Sequence, residues 1–456
     1  MVDPFLFLVP YKFLVDNYTH LGIIGKGRDT LFDTQCTVNV FQEKAGEKKF
    51  AMQIYHNIQT DLFQKKLDKL AMFMTQNCSP YTLKPLLLSF KNYDDKSFEL
   101  IVLYEGEGVE FDKSLDEEIK EKKASNTPFG EAEMLPLLTV LIKAALLSAN
   151  KSLEVHSLSP KNIFKGSEYV VSNFGLESPK KFEKLFHCPS DAYFNSKLNL
   201  VSANMLVRNL IFQAGMLLLY MGTLQDPMDL YSDLFNSDQK VINQDMLHKR
   251  IEQFKSSAGE KISSILEGML QVKEEKRITA DEILQKLEDP EIWYDEKVEG
   301  GYFRGFAKQG ETIEPVLGCL AKDTGEIYAG KVGTELSKDG KGVYYDSGVV
   351  TYGNFSGDNI TEGWLFKKNQ FAFQGGINNF EIQDGEGLYI PLLSKRNPNC
   401  LYFKGKVSNS VPQSGEMVFL DGTRGDPANM EKSEKVVSEQ ENNENNENNE
   451  NKEETQ

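Results

Sequence analysis

The sequence predicts an α+β fold followed by an all-β repeat region, on three observations. Short β-like runs come first, over 20–24, 37–41, 49–55 and 98–104, and long helical patterns follow over 130–149 and 206–221. Strands early and helices late describe an α+β arrangement, a small sheet part beside a larger helical part. From Gly300 to about Gly425 the texture changes to glycine, aromatics and Asp/Asn turns with β-like alternation. The third observation is length, since 456 residues exceed one ordinary core and suit two or three domains.

Composition narrows the function classes. The formal charge is -17, of which residues 431–456, with nine Glu and three Lys, supply -6. The remaining -11 argues against a nucleic-acid binder, which needs a basic face to neutralise phosphates. Five scattered cysteines without C-x-x-C spacing suggest neither a disulfide framework nor a zinc site, and a reducing cytosol is the expected setting. The five histidines form no H-E-x-x-H, and no G-x-S-x-G occurs. Asp3, Pro4 and Pro10 interrupt the apolar N-terminus, so no signal peptide is expected. The apolar run over 206–222 is broken by Arg208, Asn209 and Gln213 and reads as a core helix short of a membrane span. The tail, with its repeated E-N-N, is nearly devoid of apolar side chains and is expected to be disordered.

The segment V-H-S-L-S-P-K-N-I-F over 155–164 carries the sharpest signal. It resembles the protein-kinase catalytic loop H-R-D-x-x-x-x-N, with Ser157 in the aspartate slot and Asn162 retained. Aligning His156 with the family's histidine instead puts Leu158 in that slot, and either register lacks a carboxylate. Ser172-Asn173-Phe174-Gly175 then stands where the family has Asp-Phe-Gly, with a neutral amide replacing the magnesium carboxylate. Upstream, Gly25-Lys26-Gly27 resembles the glycine-rich loop, with Thr30 in the third glycine's place. The run K-F-A-M-Q-I-Y over 49–55 resembles the strand that carries the phosphate-binding lysine, with Gln53 in the lysine slot. Downstream, the run over 98–106 resembles the strand entering the hinge, and Arg277-Ile278-Thr279 begins a match to the family's late helices.

The resemblance covers about 18–293 and implies a two-lobed protein-kinase-like domain after an N-terminal extension over 1–17. Positioning and charge stabilisation supply nearly all of phosphoryl-transfer catalysis, so losses at Gln53, Ser157 and Asn173 imply a pseudokinase without catalytic residues. A vestigial nucleotide site would consist of Gly25, Gly27 and Asn162. Lys26, Lys48 or Lys49 could reach phosphate in place of Gln53, but none restores a base. In the family the apolar central helix opens with an aspartate that braces the catalytic loop. Leu210 takes its place here, and the brace is expected to be lost.

Aromatic-x-Gly units recur at Phe303-Gly305, Tyr328-Gly330, Phe355-Gly357, Phe373-Gly375 and Phe403-Gly405, in steps of 25, 27, 18 and 30 residues. Gly-x-Gly-x-Tyr echoes lie at 340–344 and 385–389. The pattern resembles MORN repeats, β-hairpins that share a row of aromatics, and implies an all-β repeat domain over 300–425 before the acidic tail at 426–456.

Together these readings imply a scaffold or allosteric module that binds other proteins, with no cofactor required and no nucleic acid bound. Two alternatives stay open: an atypical active Ser/Thr kinase binding ATP, and a membrane-associated scaffold using Lys367, Lys368, Lys395, Arg396, Lys404 and Lys406. A cytoplasmic setting is expected. Cytoskeletal and ciliary assemblies, where MORN-bearing proteins occur, are a narrower expectation that no residue selects.

Overall fold

The computed structural model describes residues 4–427 apart from 29–31, 33, 77–78, 92–95, 107, 150–157, 173, 175–202, 232–241, 311–312, 369, 392–399 and 409–410. It is a mixed α+β protein whose C-terminal part is antiparallel sheet. The chain forms two compact units, Met1–Lys338 and Asp339–Gln456.

The first unit begins with a five-stranded antiparallel sheet, β1 (Tyr18–Arg28), β2 (Gln35–Glu43), β3 (Lys49–Gln59), β4 (Lys84–Lys91) and β5 (Ser97–Glu105), in the order β1-β2-β3-β5-β4. β5 reads as a nearly continuous apolar run because it is a central strand buried on both faces. The outer strand β4 is capped by the N-terminal segment: the Val9 amide donates to the Leu88 carbonyl at 2.8 Å, and Leu6, Phe7, Phe13 and Leu14 are buried. Two helices attach to the sheet, α1 (Tyr11–Asn17) ahead of β1 and α2 (Thr60–Gln76) between β3 and β4.

The helical part follows. A three-stranded set, β6 (Glu110–Ser114), β7 (Ile163–Lys165) and β8 (Tyr169–Val171), sits beside α3 (Leu115–Ala124) and α4 (Glu131–Ala149). Ser114 opens α3 with a capping box closed by Glu117, which satisfies two orphan amides at once. Then come α5 (Ala203–Thr223), α6 (Gln244–Ser257), α7 (Glu260–Met269) and α8 (Ala280–Lys286). α5 is long and apolar enough to cross a membrane, contrary to the expectation that it falls short. Its apolar window is 83% buried inside the unit, so it serves as the core helix. Leu210, Ile211, Phe212, Leu217 and Leu218 on it pack against Leu137, Leu138 and Leu141 of α4 in one hydrophobic core.

Four further strands complete the first unit: β9 (Glu291–Val298), β10 (Gly301–Gln309), β11 (Ile313–Lys322) and β12 (Ile327–Val332), each antiparallel to the next. They belong to the same core, because Phe306 is fully buried with its ring edge-on to Trp293 and Tyr81. Lys143, within the apolar run of α4, reaches Asp289 and Glu291 at 2.8 Å each. Burial works against its charge, yet those two carboxylates hold the ammonium above the ordinary lysine range.

The second unit is an antiparallel meander of β13 (Lys338–Asp346), β14 (Val349–Ser356), β15 (Asn359–Lys367), β16 (Phe371–Asn378), β17 (Glu381–Pro391), β18 (Cys400–Ser408), β19 (Val411–Phe419) and the short β20 (Arg424–Gly425). Register aligns one glycine per strand across seven strands, Gly342, Gly353, Gly363, Gly375, Gly387, Gly405 and Gly415, each opposite the next. Three glycines of the first unit, Gly305, Gly318 and Gly330, pair in the same way. The reason is space. A Cβ on Gly363 would strike the Tyr352 carbonyl, and its φ of +154° disfavours other residues. The Phe373 and Phe403 rings lie over the column where Cβ atoms of Gly375 and Gly405 would stand. Four of the five aromatic-x-Gly units place their glycine in a column, whereas Gly357 sits in the β14–β15 turn with φ +55° and Gly353 takes the column position.

Candidate functional site

The first unit holds a cleft of about 490 Å³ beneath β1, walled by Leu21 to Lys26, Val40 and Lys49 of the sheet and by Phe111, Asp116 and Lys161 of the helical part. The glycine-bearing segment forms its roof. Gly25 and Gly27 lie within β1 itself, opposite Val38 and Cys36, and two register shifts near Leu21 and Ile24 bend the strand. Of the three residues expected to form a nucleotide site, only Gly25 lines the cleft. Gly27 is buried in the ladder. Asn162 is buried at the end of a 3-10 turn, Pro160–Asn162, where its carbonyl accepts the Ser172 amide at 2.7 Å. Its neighbour Lys161 reaches the cleft instead.

The lysines sort themselves. Lys26 and Lys49 line the cleft, while Lys48 forms an ion pair with the buried Glu105 at the end of β5. Lys120, on the opposite wall, is held by Asp116 at 2.8 Å. Hydrogen bonding to Asp116 raises its pKa further. The cleft therefore has a basic side under a glycine roof and, among the described residues, no carboxylate beyond those of α3.

Gln53, in the lysine slot, does not face this cleft. It is fully buried on β3, and its amide is saturated: Oε1 accepts the hydroxyls of Tyr55 and Tyr104 at 2.9 Å each, and Nε2 donates to the Phe174 carbonyl and the Cys36 sulfur, both at 3.2 Å. Phe174 belongs to the Ser172–Gly175 motif and is itself fully buried, edge-on to Tyr104 with centroids 5.1 Å apart. A run of ring contacts continues from Phe73 on α2 through Tyr104, Phe174 and Phe164 to Phe111, joining the sheet to the helical part. Gln53 is thus the centre of a structural junction made of neutral groups.

The loop before Asn162 is held from α5. Gln213, one turn beyond Leu210 on the same helix, accepts the Leu158 amide at 2.9 Å with its fully buried Oε1. Ser157, the aspartate slot, and Asn173, the magnesium slot, lie outside the described residues, as do Thr30, His156 and Gly175. Arg277 is buried near the start of α8, donating to the carbonyls of Arg208 at 2.7 Å and Gln271 at 3.0 Å with its guanidinium 5.0 Å from the Phe212 ring centroid.

Among the described residues no group of three or more His, Cys, Asp and Glu is placed to hold a metal ion. On the second unit, cross-strand register sets Lys404 opposite Glu416 and Lys406 opposite Glu386, giving a mixed-sign surface. Lys395 and Arg396 lie outside the described residues. No protein-family model and no curated protein matches the chain.

Proposed function

We propose that the first unit is a kinase-like fold without phosphotransfer that works as a protein-binding scaffold, and that the second is a MORN-like docking sheet. The observation that carries this reading is the saturated amide of Gln53. A phosphate-binding lysine must present a charge to the ligand, whereas Gln53 presents none and spends every hydrogen-bonding valence inside the fold. The order of elements supports the kinase-like part: a glycine-bearing β1, the lysine-slot strand as the third, a helix after it, a loop ending at Asn162, and an apolar central helix all follow in the sequence the resemblance implies. The bond from the Leu158 amide to Gln213 supports a scaffold, since Leu158 is held from the core helix although neither register supplies a base.

A second reading keeps nucleotide binding without catalysis, favoured by Lys26, Lys49 and Lys161 around the glycine-roofed cleft. One experiment separates the two. Thermal unfolding of the full chain is followed with and without millimolar ATP, each with magnesium or EDTA. A ligand at about 100 times its dissociation constant adds roughly 2.7 kcal/mol, a readable shift. The scaffold reading expects no shift. A magnesium-dependent shift with turnover would overturn it in favour of an atypical kinase, and a shift without turnover would support the second reading. The membrane alternative needs a single-sign face, and the Lys404–Glu416 and Lys406–Glu386 pairs weigh against one.

A further inference from the structure

A second cavity, about 570 Å³, lies between α3, α4 and the β7–β8 turn, and shares no lining residue with the cleft beneath β1. We propose that it docks a segment of another protein that carries both basic and aliphatic side chains. The argument begins with charge. Three lysines line the cavity, and each is already neutralised: Lys165 by Glu118 at 2.8 Å, Lys122 by Glu133 at 2.8 Å, and Lys143 twice over by Asp289 and Glu291. Tyr169 adds its hydroxyl to Glu118 at 2.8 Å.

Two carboxylates remain. Glu121 on α3 and Glu168 in the β7–β8 turn are exposed, and no cation lies within ion-pair distance of either among the described residues. An incoming guanidinium or ammonium meets uncompensated negative charge at this rim, whereas an anion meets lysines whose charge is spent. Phe129, Pro136 and Val140 supply the apolar part of the lining, with Phe129 and Val140 buried and the Lys122 ammonium 4.9 Å from the Phe129 ring centroid.

Acidic rim and apolar lining call for two kinds of side chain at once. The volume lies in the range of well-formed ligand sites, and an aliphatic group seated on the apolar lining with a basic group at the rim satisfies both features. A lone amine fills only the rim and an acidic segment is repelled by it. The walls are two helices and a tight hairpin, so the site is preformed, and α3 is a wall of both cavities.

The test uses an array of random decapeptides probed with the labelled full chain and with its Glu121→Lys/Glu168→Lys variant. Both substituted residues are exposed, and an unchanged melting curve verifies that the variant folds. Peptides bound by the wild type and lost by the variant should be enriched in Arg or Lys together with Leu, Ile or Val. In fluorescence anisotropy the variant should weaken the best of them at least tenfold. Equal binding by both proteins, enrichment of acidic peptides, no peptide bound, or equally tight competition by free arginine overturns the proposal.

Discussion

The Gln53 side chain donates to the Phe174 carbonyl at 3.2 Å, tying the middle of the sheet to the segment that follows β8. Its two acceptor contacts with Tyr55 and Tyr104 mean that no side chain of different polarity can take its place without leaving a buried group unpaired. Gln53→Leu should therefore cost about 2–4 kcal/mol of unfolding free energy. Gln53→Lys should cost at least as much, because a buried ammonium has three donors and no acceptor for the tyrosine hydroxyls. Denaturant titration measures both. A Gln53→Lys protein as stable as the wild type that gains a magnesium-ATP shift would show that the site is a nucleotide pocket in waiting.

Lys143 joins α4 to the start of β9, and removing it strands two carboxylates. Lys143→Met is expected to lose about 3–5 kcal/mol, the usual result of breaking a buried ion cluster from one side. The triple change Lys143→Met/Asp289→Asn/Glu291→Gln should recover most of that loss. If the single and triple variants unfold alike, the cluster is incidental. Phe306→Ala, in the same junction, should cost about 3–5 kcal/mol.

Stability should fall as pH rises through the alkaline range. Burial pushes the Cys400 thiol up to about 11, while an unfolded thiol titrates near pH 8.5. Between those values the folded chain keeps a proton that the unfolded chain has released, so unfolding becomes easier with each step in pH. Cys400→Val should flatten part of this slope between about pH 8.5 and 11, read from denaturation midpoints. The folded thiol should also resist iodoacetamide at pH 8. Rapid alkylation there would contradict the burial assigned to it.

A column glycine and one outside the columns give a matched pair of substitutions. A Cβ at Gly363 meets the Tyr352 carbonyl, whereas one at Gly385, with a nearly equal φ of +156°, meets nothing within 4 Å. Gly385→Ala should cost only the backbone term, about 1–2 kcal/mol, and Gly363→Ala distinctly more. Equal losses would mean that conformation alone, not contact, demands these glycines.

What could be read from the sequence follows from how far each signal reaches. The early strands and long helices were legible because period and burial act locally, as in β5 and α4. β4 was not, since Pro85 reads as a breaker, although an outer strand tolerates it. The columns were half legible: Phe-x-Gly marks Gly375 and Gly405, but Gly353 and Gly363 carry no aromatic two places before them that the unit could flag. At the candidate site the neutral side chain of Gln53 was visible, while its bonds to Tyr104 and Phe174 span 51 and 121 residues and have no local mark. Gln213 was hidden for the same reason. Lys143 did leave a clue, as a lysine inside the apolar run of α4 requires partners.

The glycine column also limits which pairings the second unit can try. Sliding any strand by one residue brings a side chain such as Tyr352 or Trp364 into a row with room for none, and turns a buried face outward in the same step. Near-miss hairpins are thus rejected where they form, one strand at a time, before a neighbour can copy the error. The row of missing side chains works as a keyway: it lets similar, irregularly spaced hairpins assemble in one register without a unique sequence in each.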